Sequence, residues 1–176
     1  MNNFRRDLAY SHSVDEEPCW VEAYQNAFPD LVAMANHRRD GKPQRSGVDR
    51  SITLASSKQV LIDQKACRIK ETGDIMLEYI SVDTNSSPGW VEKPLIADYI
   101  AYAFIPSGRC YLLPVPQLQA TWRSHKAEWL NRYGTRRARN EGYNTLNCPV
   151  PVSVLYSSIG SMLRVSFTPP VAVKPG

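Results

Sequence analysis

The segment QVLIDQKAC at residues 59–67 decides how this chain can fold, because it places charged residues inside an apolar run typical of a strand. Side chains two positions apart in a strand point to the same face. Asp63 and Lys65 are therefore predicted to lie side by side on one face, with Ile62 and Gln64 on the other. Burying an acid and a lysine is costly unless they pair or perform chemistry, so this pair is the first candidate for a functional site.

A second acid, Asp49, lies in the preceding strand-like segment at 47–54. The polar turn at 55–58 is short, so we expect the two strands to pair antiparallel and to bring Asp49 beside Asp63. Two carboxylates on neighbouring strands can share Mg²⁺, a hard cation that prefers oxygen ligands. The ion can polarise a phosphate and lower the pKa of a bound water, while the lysine stabilises developing negative charge. This combination predicts phosphodiester hydrolysis.

The apolar periodicity on either side of these strands predicts an α/β fold. Upstream, apolar residues recur at helical spacing, which predicts an amphipathic helix over 18–36 that Pro29 kinks or splits. Downstream, residues 75–82 alternate like a strand and complete a three-stranded meander with the two strands above. The remaining predictions are a helix over 94–104, a strand over 109–114, a helix over 116–133 and an extended segment over 149–156. This order predicts a central mixed β-sheet flanked by helices.

Length and composition predict one globular domain. The chain has 176 residues, of which 43% are hydrophobic and 22% charged, enough to bury a core without disulfides or a structural metal. We expect this domain to cover 15–167, with flexible ends at 1–14 and 168–176. The four cysteines include no CxxC pair, which is typical of reduced thiols in a cell rather than of a zinc cluster. Without an apolar signal segment or membrane span, the sequence predicts a cytoplasmic protein.

Basic residues concentrate in two stretches of a chain whose net charge is only +4. One stretch follows His37 and contains Arg38, Arg39, Lys42, Arg45 and Arg50. The other, against the single acid Glu128, contains Arg123, Lys126, Arg132, Arg136, Arg137 and Arg139. Such clusters suit a polyanion such as DNA, although a solvated helix face and a loop would give the same pattern. Trp122 and Trp129 in the second stretch favour packing into the core beneath a basic outer face over stacking on bases.

Several other function classes lack their sequence features. The chain has neither a GxxxxGK[ST] phosphate loop nor a GxGxxG fingerprint, so ATP- or NAD-driven chemistry is not indicated. No helix-turn-helix is evident for reading bases. The three histidines have no spacing typical of a metal triad or of a serine hydrolase, and exposed positions are expected for them.

The spacing of the acids and the lysine resembles a known family. Asp49 in GVDRS is followed by thirteen residues and then by Asp63 and Lys65 in VLIDQKA. This pattern is similar to the core of the PD-(D/E)XK nuclease superfamily, which includes restriction endonucleases and Holliday junction resolvases. The resemblance covers about residues 19–113 and implies a restriction endonuclease-like core of a helix, a three-stranded meander, a crossover helix and a further strand. Two positions depart from the family name: Val48 replaces its proline, and Asp63 replaces the commoner glutamate.

The resemblance implies a role for each residue that matches the pattern. Asp49 and Asp63 match the metal-binding acids, and Lys65 matches the catalytic lysine. Glu22, on the first helix, matches an acid that some members use as an additional metal or water ligand, and the acids at 16–17 are its rivals. These residues are the expected catalytic and metal-binding set.

Further similarity, to phage- and prophage-type members, lies downstream. The strand over 75–82 carries Glu78, and the pair Gly89-Trp90 and the segment ADYI at 97–100 follow it. In those members the strand glutamate borders the site, so Glu78 joins the candidates. The resemblance as a whole implies a Mg²⁺-dependent endonuclease, with Mn²⁺ as an alternative ion. It would act on DNA as a monomer or homodimer, in the cytoplasm of a bacterial host if a phage encodes it.

Two other classes of protein stay open from the sequence. One is a DNA-binding or protein-interaction module that keeps this fold but performs no chemistry. The affinity of such a module for DNA would not depend on Mg²⁺ and would not change in the Asp63→Ala variant. The other is a virion or assembly protein, for which DNA binding would be absent at every salt concentration.

Overall fold

The computed structural model describes residues 18–37 and 47–170 of the chain. The described part is an α/β structure, which confirms the predicted fold class, with two β-sheets and three α-helices. Its elements in chain order are α1 (Pro18–Ala27), β1 (Leu31–Asn36), β2 (Arg50–Leu54), β3 (Gln59–Cys67), β4 (Asp74–Val82), β5 (Ser87–Pro88), β6 (Tyr99–Phe104), a 3₁₀ turn (Ile105–Ser107), β7 (Arg109–Pro114), α2 (Val115–Tyr133), β8 (Arg136–Arg139), β9 (Asn144–Pro151), α3 (Val152–Ile159) and β10 (Leu163–Ser166).

The larger sheet has six strands in the order β1-β2-β3-β6-β7-β10. Strands β1, β2 and β3 form an antiparallel meander, and β6 then lies parallel to β3. Strands β7 and β10 continue the sheet antiparallel. The sheet is therefore mixed, as the sequence predicts. The smaller sheet has four antiparallel strands in the order β5-β4-β9-β8.

The predicted helix over 18–36 is wrong in its second half. Helix α1 ends at Ala27, residues 29–30 form a turn, and β1 begins at Leu31. Pro29 has no N–H to donate, and its ring would clash with the carbonyl of Gln25 in a continuing helix. The apolar residues after the turn satisfy their backbone groups by pairing with β2 instead. Pro29 thus separates a helix from a strand rather than kinking one helix.

The three-stranded meander is present, but its third member is not the predicted one. Strand β1 is the third strand of the meander. Strand β4, which the sequence predicts in that position, pairs with β9 in the smaller sheet. The free edge of β3 is taken by β6, so no edge is left for β4.

The predicted helix over 94–104 is wrong as well. Residues 94–98 are irregular and Tyr99–Phe104 is the strand β6. This strand is central and buried on both faces, so it is apolar throughout and shows no alternation. Such a run cannot be distinguished from a buried helix by periodicity alone.

Predictions nearer the C-terminus have mixed outcomes. The strand at Arg109–Pro114 and the helix that follows it are confirmed. The extended segment predicted over 149–156 is divided between the end of β9 and the helix α3, and β8 was not predicted. The predicted flexible start at 1–14, the basic residues at 38–45 and the last part of the predicted tail, 171–176, lie outside the described residues.

Two apolar cores lie on opposite faces of the six-stranded sheet. One core lies between α1 and the sheet and contains Trp20, Tyr24 and Ile62. The other joins the sheet to β4, β9 and α2 and contains Trp122 and Trp129. Both tryptophans are almost fully buried, which confirms the prediction that they pack into the core. None of the helices within the described ranges combines the length and the apolar character needed to cross a bilayer.

Candidate active site

Asp63 and Lys65 lie side by side on one face of β3, as predicted. Lys65 Nζ donates a hydrogen bond to Asp63 Oδ1 at 2.7 Å. The side chain of Asp63 is 5% exposed and that of Lys65 is 29% exposed, so the acid is buried and only the lysine reaches solvent. Gln64 between them points to the opposite face, where its Nε2 donates to the hydroxyl of Tyr24 at 2.7 Å.

Asp49 lies beside this pair through the register of β2 and β3. Arg50 pairs with Ile62, and the backbone N–H of Asp49 donates to the carbonyl oxygen of Ile62 at 2.9 Å. Asp49 is therefore opposite Asp63, which confirms the predicted antiparallel return. Its Oδ2 accepts a hydrogen bond from the backbone N–H of Gln64 at 2.8 Å, which fixes the carboxylate against β3.

The electrostatics of Asp63 set it apart from an ordinary ion pair. Burial raises the pKa of Asp63, the charge and hydrogen bond of Lys65 lower it, and the charge of Asp49 and a hydrogen bond between the two carboxyl groups raise it. Asp63 Oδ2 is buried and accepts no hydrogen bond from any described residue. A buried acceptor left in this state costs about 1–3 kcal/mol. A cation placed between the two carboxylates would satisfy this oxygen and relieve their repulsion.

Lys65 keeps its proton because acids surround it. Burial lowers the pKa of Lys65, but the carboxylates of Asp63, Asp49 and Glu78 more than offset this, so the net pKa is raised. The ammonium group is therefore a fixed positive charge at neutral pH. Its position between acids from both sheets makes it the electrostatic centre of the site.

Glu78 comes to the site from the smaller sheet. It lies on β4, where burial raises its pKa and the positive charges of Lys65 and Lys93 lower it. The sequence assigned Glu78 to the edge of the site, and the structure places it near Lys65. Lys93 was not singled out from the sequence. The signal that could have identified it is its position in GWVEK, three residues after Trp90.

The turn over 89–93 holds Glu78 in place. The backbone N–H of Gly89 donates to the carbonyl of Tyr79 at 3.0 Å, and that of Val91 donates to the carbonyl of Glu78 at 3.1 Å. A Cβ at position 89 would overlap the carbonyl oxygen of Glu78. Glycine is therefore required by close approach of backbone, and this explains the Gly89-Trp90 pair in structural terms.

Glu22 is not brought to the site, and this prediction is corrected. Its carboxylate accepts hydrogen bonds from the N–H of Thr168 at 2.8 Å and from its hydroxyl at 3.2 Å. Thr168 follows β10, which is three strands away from β3 in the sheet. Residues two apart on a helix point in nearly opposite directions. Because Tyr24 faces Gln64, Glu22 on the same helix faces away from the carboxylates.

The six basic residues predicted to bind DNA lie on α2 and β8. Lys126 is engaged already, since its Nζ lies 2.7 Å from the Glu92 carboxylate and 5.9 Å from the centre of the Tyr79 ring. Arg132 lies over the ring of Tyr133 at 5.5 Å. The exposed members of the set are Arg123, Arg132, Arg136, Arg137 and Arg139.

The donor set of the site is small. No group of three or more histidine, cysteine, aspartate or glutamate residues in the described ranges is arranged to hold a metal ion. Asp49 and Asp63 are two carboxylates that lie opposite each other where β2 pairs with β3. Mg²⁺ commonly keeps several waters and takes only one or two protein carboxylates, so this pair fits Mg²⁺ better than an ion that needs a closed cage of protein ligands.

Comparisons of the chain with protein-family models, with curated proteins and with solved structures found no match. The interpretation of the site therefore depends on its geometry and chemistry, together with the resemblance of its Asp49, Asp63 and Lys65 pattern.

Proposed function

We propose that this chain is a Mg²⁺-dependent deoxyribonuclease that hydrolyses phosphodiester bonds of DNA. The observation that carries the proposal is the buried carboxylate of Asp63, with one oxygen bonded to Lys65 and the other without a hydrogen bond from the described residues, beside Asp49. The ion pair with Lys65 accounts for one of these oxygens, and a cation shared with Asp49 would satisfy the other.

The topology supports a restriction endonuclease-like core as part of this proposal. Helix α1 precedes an antiparallel meander of β1, β2 and β3, and β6 then adds parallel to β3. This is the order that the resemblance implies, with one departure. The connection from β3 to β6 contains β4 and β5 where the family pattern has a crossover helix.

The side chains divide the work of hydrolysis between them. Asp49 and Asp63 would hold the cation, which when bound polarises a phosphate oxygen and lowers the pKa of a water. Lys65 holds its proton on Nζ and presents positive charge where negative charge develops on the phosphoryl group. Glu78 helps to keep Lys65 charged from the opposite side. Asp63 also orients Lys65 through their hydrogen bond, so the ammonium does not reorganise during the reaction.

A catalytically inactive DNA-binding module is the second candidate. One observation favours it: Glu22 lies away from the site, so the additional acid that some PD-(D/E)XK members place on the first helix is not beside Asp49 and Asp63. In this alternative Asp63 and Lys65 would stabilise the fold, and DNA binding would not depend on divalent ions.

Cleavage of supercoiled plasmid and of a branched oligonucleotide distinguishes the two candidates. Wild type should cut with Mg²⁺ or Mn²⁺ and not with EDTA, and Asp63→Asn should reduce the rate by at least about 100-fold. Asp30→Asn is the matched control, because Asp30 is an exposed acid in the turn before β1. It should cut at the wild-type rate. Absence of cutting by folded wild type with every ion would overturn the proposal, as would undiminished cutting by Asp63→Asn.

A further inference from the structure

A row of three side chains crosses the smaller sheet from Glu78 to its outer edge. Glu78 on β4 pairs with Asn147 on β9, and Asn147 pairs with Arg136 on β8. Residues directly opposite each other on antiparallel strands point to the same face. Arg136 therefore lies on the face of the smaller sheet that carries Glu78, at the edge strand β8.

Arg137 and Arg139 lie on the other face of β8 because side chains alternate along a strand. That other face packs against the core: Leu77 and Cys148 pair there and are fully buried in the cluster that contains Trp122. One strand thus carries arginines on both faces, and only Arg136 is on the face of Glu78.

The surroundings of Arg136 and Arg137 also differ in charge. The pKa of Asp83 is held below its ordinary value, chiefly by hydrogen bonds from Asn144 and in part by the positive charge of Arg137. Arg137 therefore has an acid nearby. The side chain of Arg136 is exposed and forms no hydrogen bond or ion pair with a described residue. Its guanidinium group is available to an external anion.

We propose that Arg136 binds a phosphate of the DNA backbone next to the phosphate being hydrolysed. The DNA strand would cross the face that carries Glu78 and Asn147 between these two phosphates. This inference rests on the proposed nuclease function. Neighbouring strands are about 4.8 Å apart, so the Cα of Arg136 lies about 10 Å from that of Glu78. Arginine suits this role because its planar group binds phosphate in a bidentate manner. The contact positions the duplex and carries no sequence preference.

Three single substitutions on the same strand test this proposal. Arg136→Ala is compared with Arg137→Ala and Arg139→Ala, which remove the same charge from the opposite face. Fluorescence anisotropy with a labelled duplex, in Ca²⁺ and in EDTA, measures affinity across a range of salt concentrations. Arg136→Ala should weaken binding about five- to tenfold and reduce the slope of log affinity against log salt by about 0.9. Arg137→Ala and Arg139→Ala belong to the same predicted DNA-binding set, and each should weaken binding clearly less than Arg136→Ala does.

The affinities of the three variants distinguish a specific phosphate contact at Arg136 from a general basic edge. A loss that is clearly largest in Arg136→Ala supports the contact, and Arg136→Lys should then recover part of the affinity. Equal losses in all three variants would mean that β8 acts as an unspecific basic edge, and would overturn the inference. Absence of DNA binding by wild type would overturn it as well. If wild type binds DNA but cuts with no ion, the nuclease proposal fails while the binding comparison still decides the role of Arg136.

Discussion

Asp63 is the residue on which the account depends. Strand alternation and the cost of burying charge identified it from the sequence together with Lys65, and the structure places both on one face with a hydrogen bond between them. The sequence could not predict the burial of the second carboxylate oxygen, Asp63 Oδ2, which accepts no hydrogen bond from the described residues. Tertiary packing sets this burial, since the side chain of Asp63 is only 5% exposed in the folded chain.

Glu78 gives a prediction at the scale of one residue. Burial raises its pKa above the ordinary value of 4.5. The folded protein therefore binds its proton more tightly than the unfolded chain does, and the resulting stability is present below about pH 4.5 and is lost as the pH rises through the folded-state value. Glu78→Gln removes this titration. Its free energy of unfolding should accordingly rise relative to that of wild type as the pH is increased from 4.5 to 7.5.

Urea denaturation of both proteins at several pH values measures this difference directly. Groups distant from Glu78 titrate equally in both proteins and cancel in the comparison, whereas Lys65 and Asp63 are electrostatically coupled to Glu78. A difference between the two proteins that stays constant with pH would contradict the burial of a charged Glu78.

At the scale of elements, the helices and strands with a clear apolar periodicity were predicted correctly. Prediction failed for elements whose burial on both faces removes that periodicity. Strand β3 and helix α2 were placed within a residue or so. For β6 the sequence predicts a helix, because a strand buried on both faces shows no alternation. Strand β1 was hidden inside the apolar repeat that continues from α1. Strand β8 was read only as a basic stretch, since three of its four residues are arginine.

The turn over 89–93 gives a prediction at the scale of elements. Gly89→Ala places a Cβ against the carbonyl oxygen of Glu78, and backbone atoms cannot rotate away as a side chain could. We expect a loss of about 1–3 kcal/mol in the free energy of unfolding, together with slower DNA cleavage because Glu78 is displaced. Thermal and urea denaturation measure the first effect.

Gly73→Ala is the control for this substitution. No atom lies within 4 Å of a Cβ at position 73, although its φ of +85° is unfavourable for alanine. It should therefore show backbone strain of about 1 kcal/mol without any effect on cleavage. Equal effects on cleavage from both substitutions would contradict the role assigned to the 89–93 turn.

At the scale of the whole molecule, the candidate site is assembled from both sheets. Asp49, Asp63 and Lys65 come from the larger sheet, and Glu78 comes from the smaller one. The smaller sheet forms only when β4 pairs with β9, which brings Glu78 opposite Asn147. No local pattern in the sequence encodes that pairing. The acids and the lysine could thus be predicted as candidates, whereas the position of Glu78 relative to Arg136 required the three-dimensional structure.

The most direct test of the central claim is a titration with Mn²⁺ followed by electron paramagnetic resonance, which distinguishes free from bound ion. Wild type should bind Mn²⁺ at a site that is lost in both Asp49→Asn and Asp63→Asn and is retained in Asp30→Asn. Mg²⁺ should displace the bound ion. If wild type binds no Mn²⁺, or if the two site variants bind it as well as wild type does, Asp49 and Asp63 do not form the metal site on which the proposed hydrolysis depends.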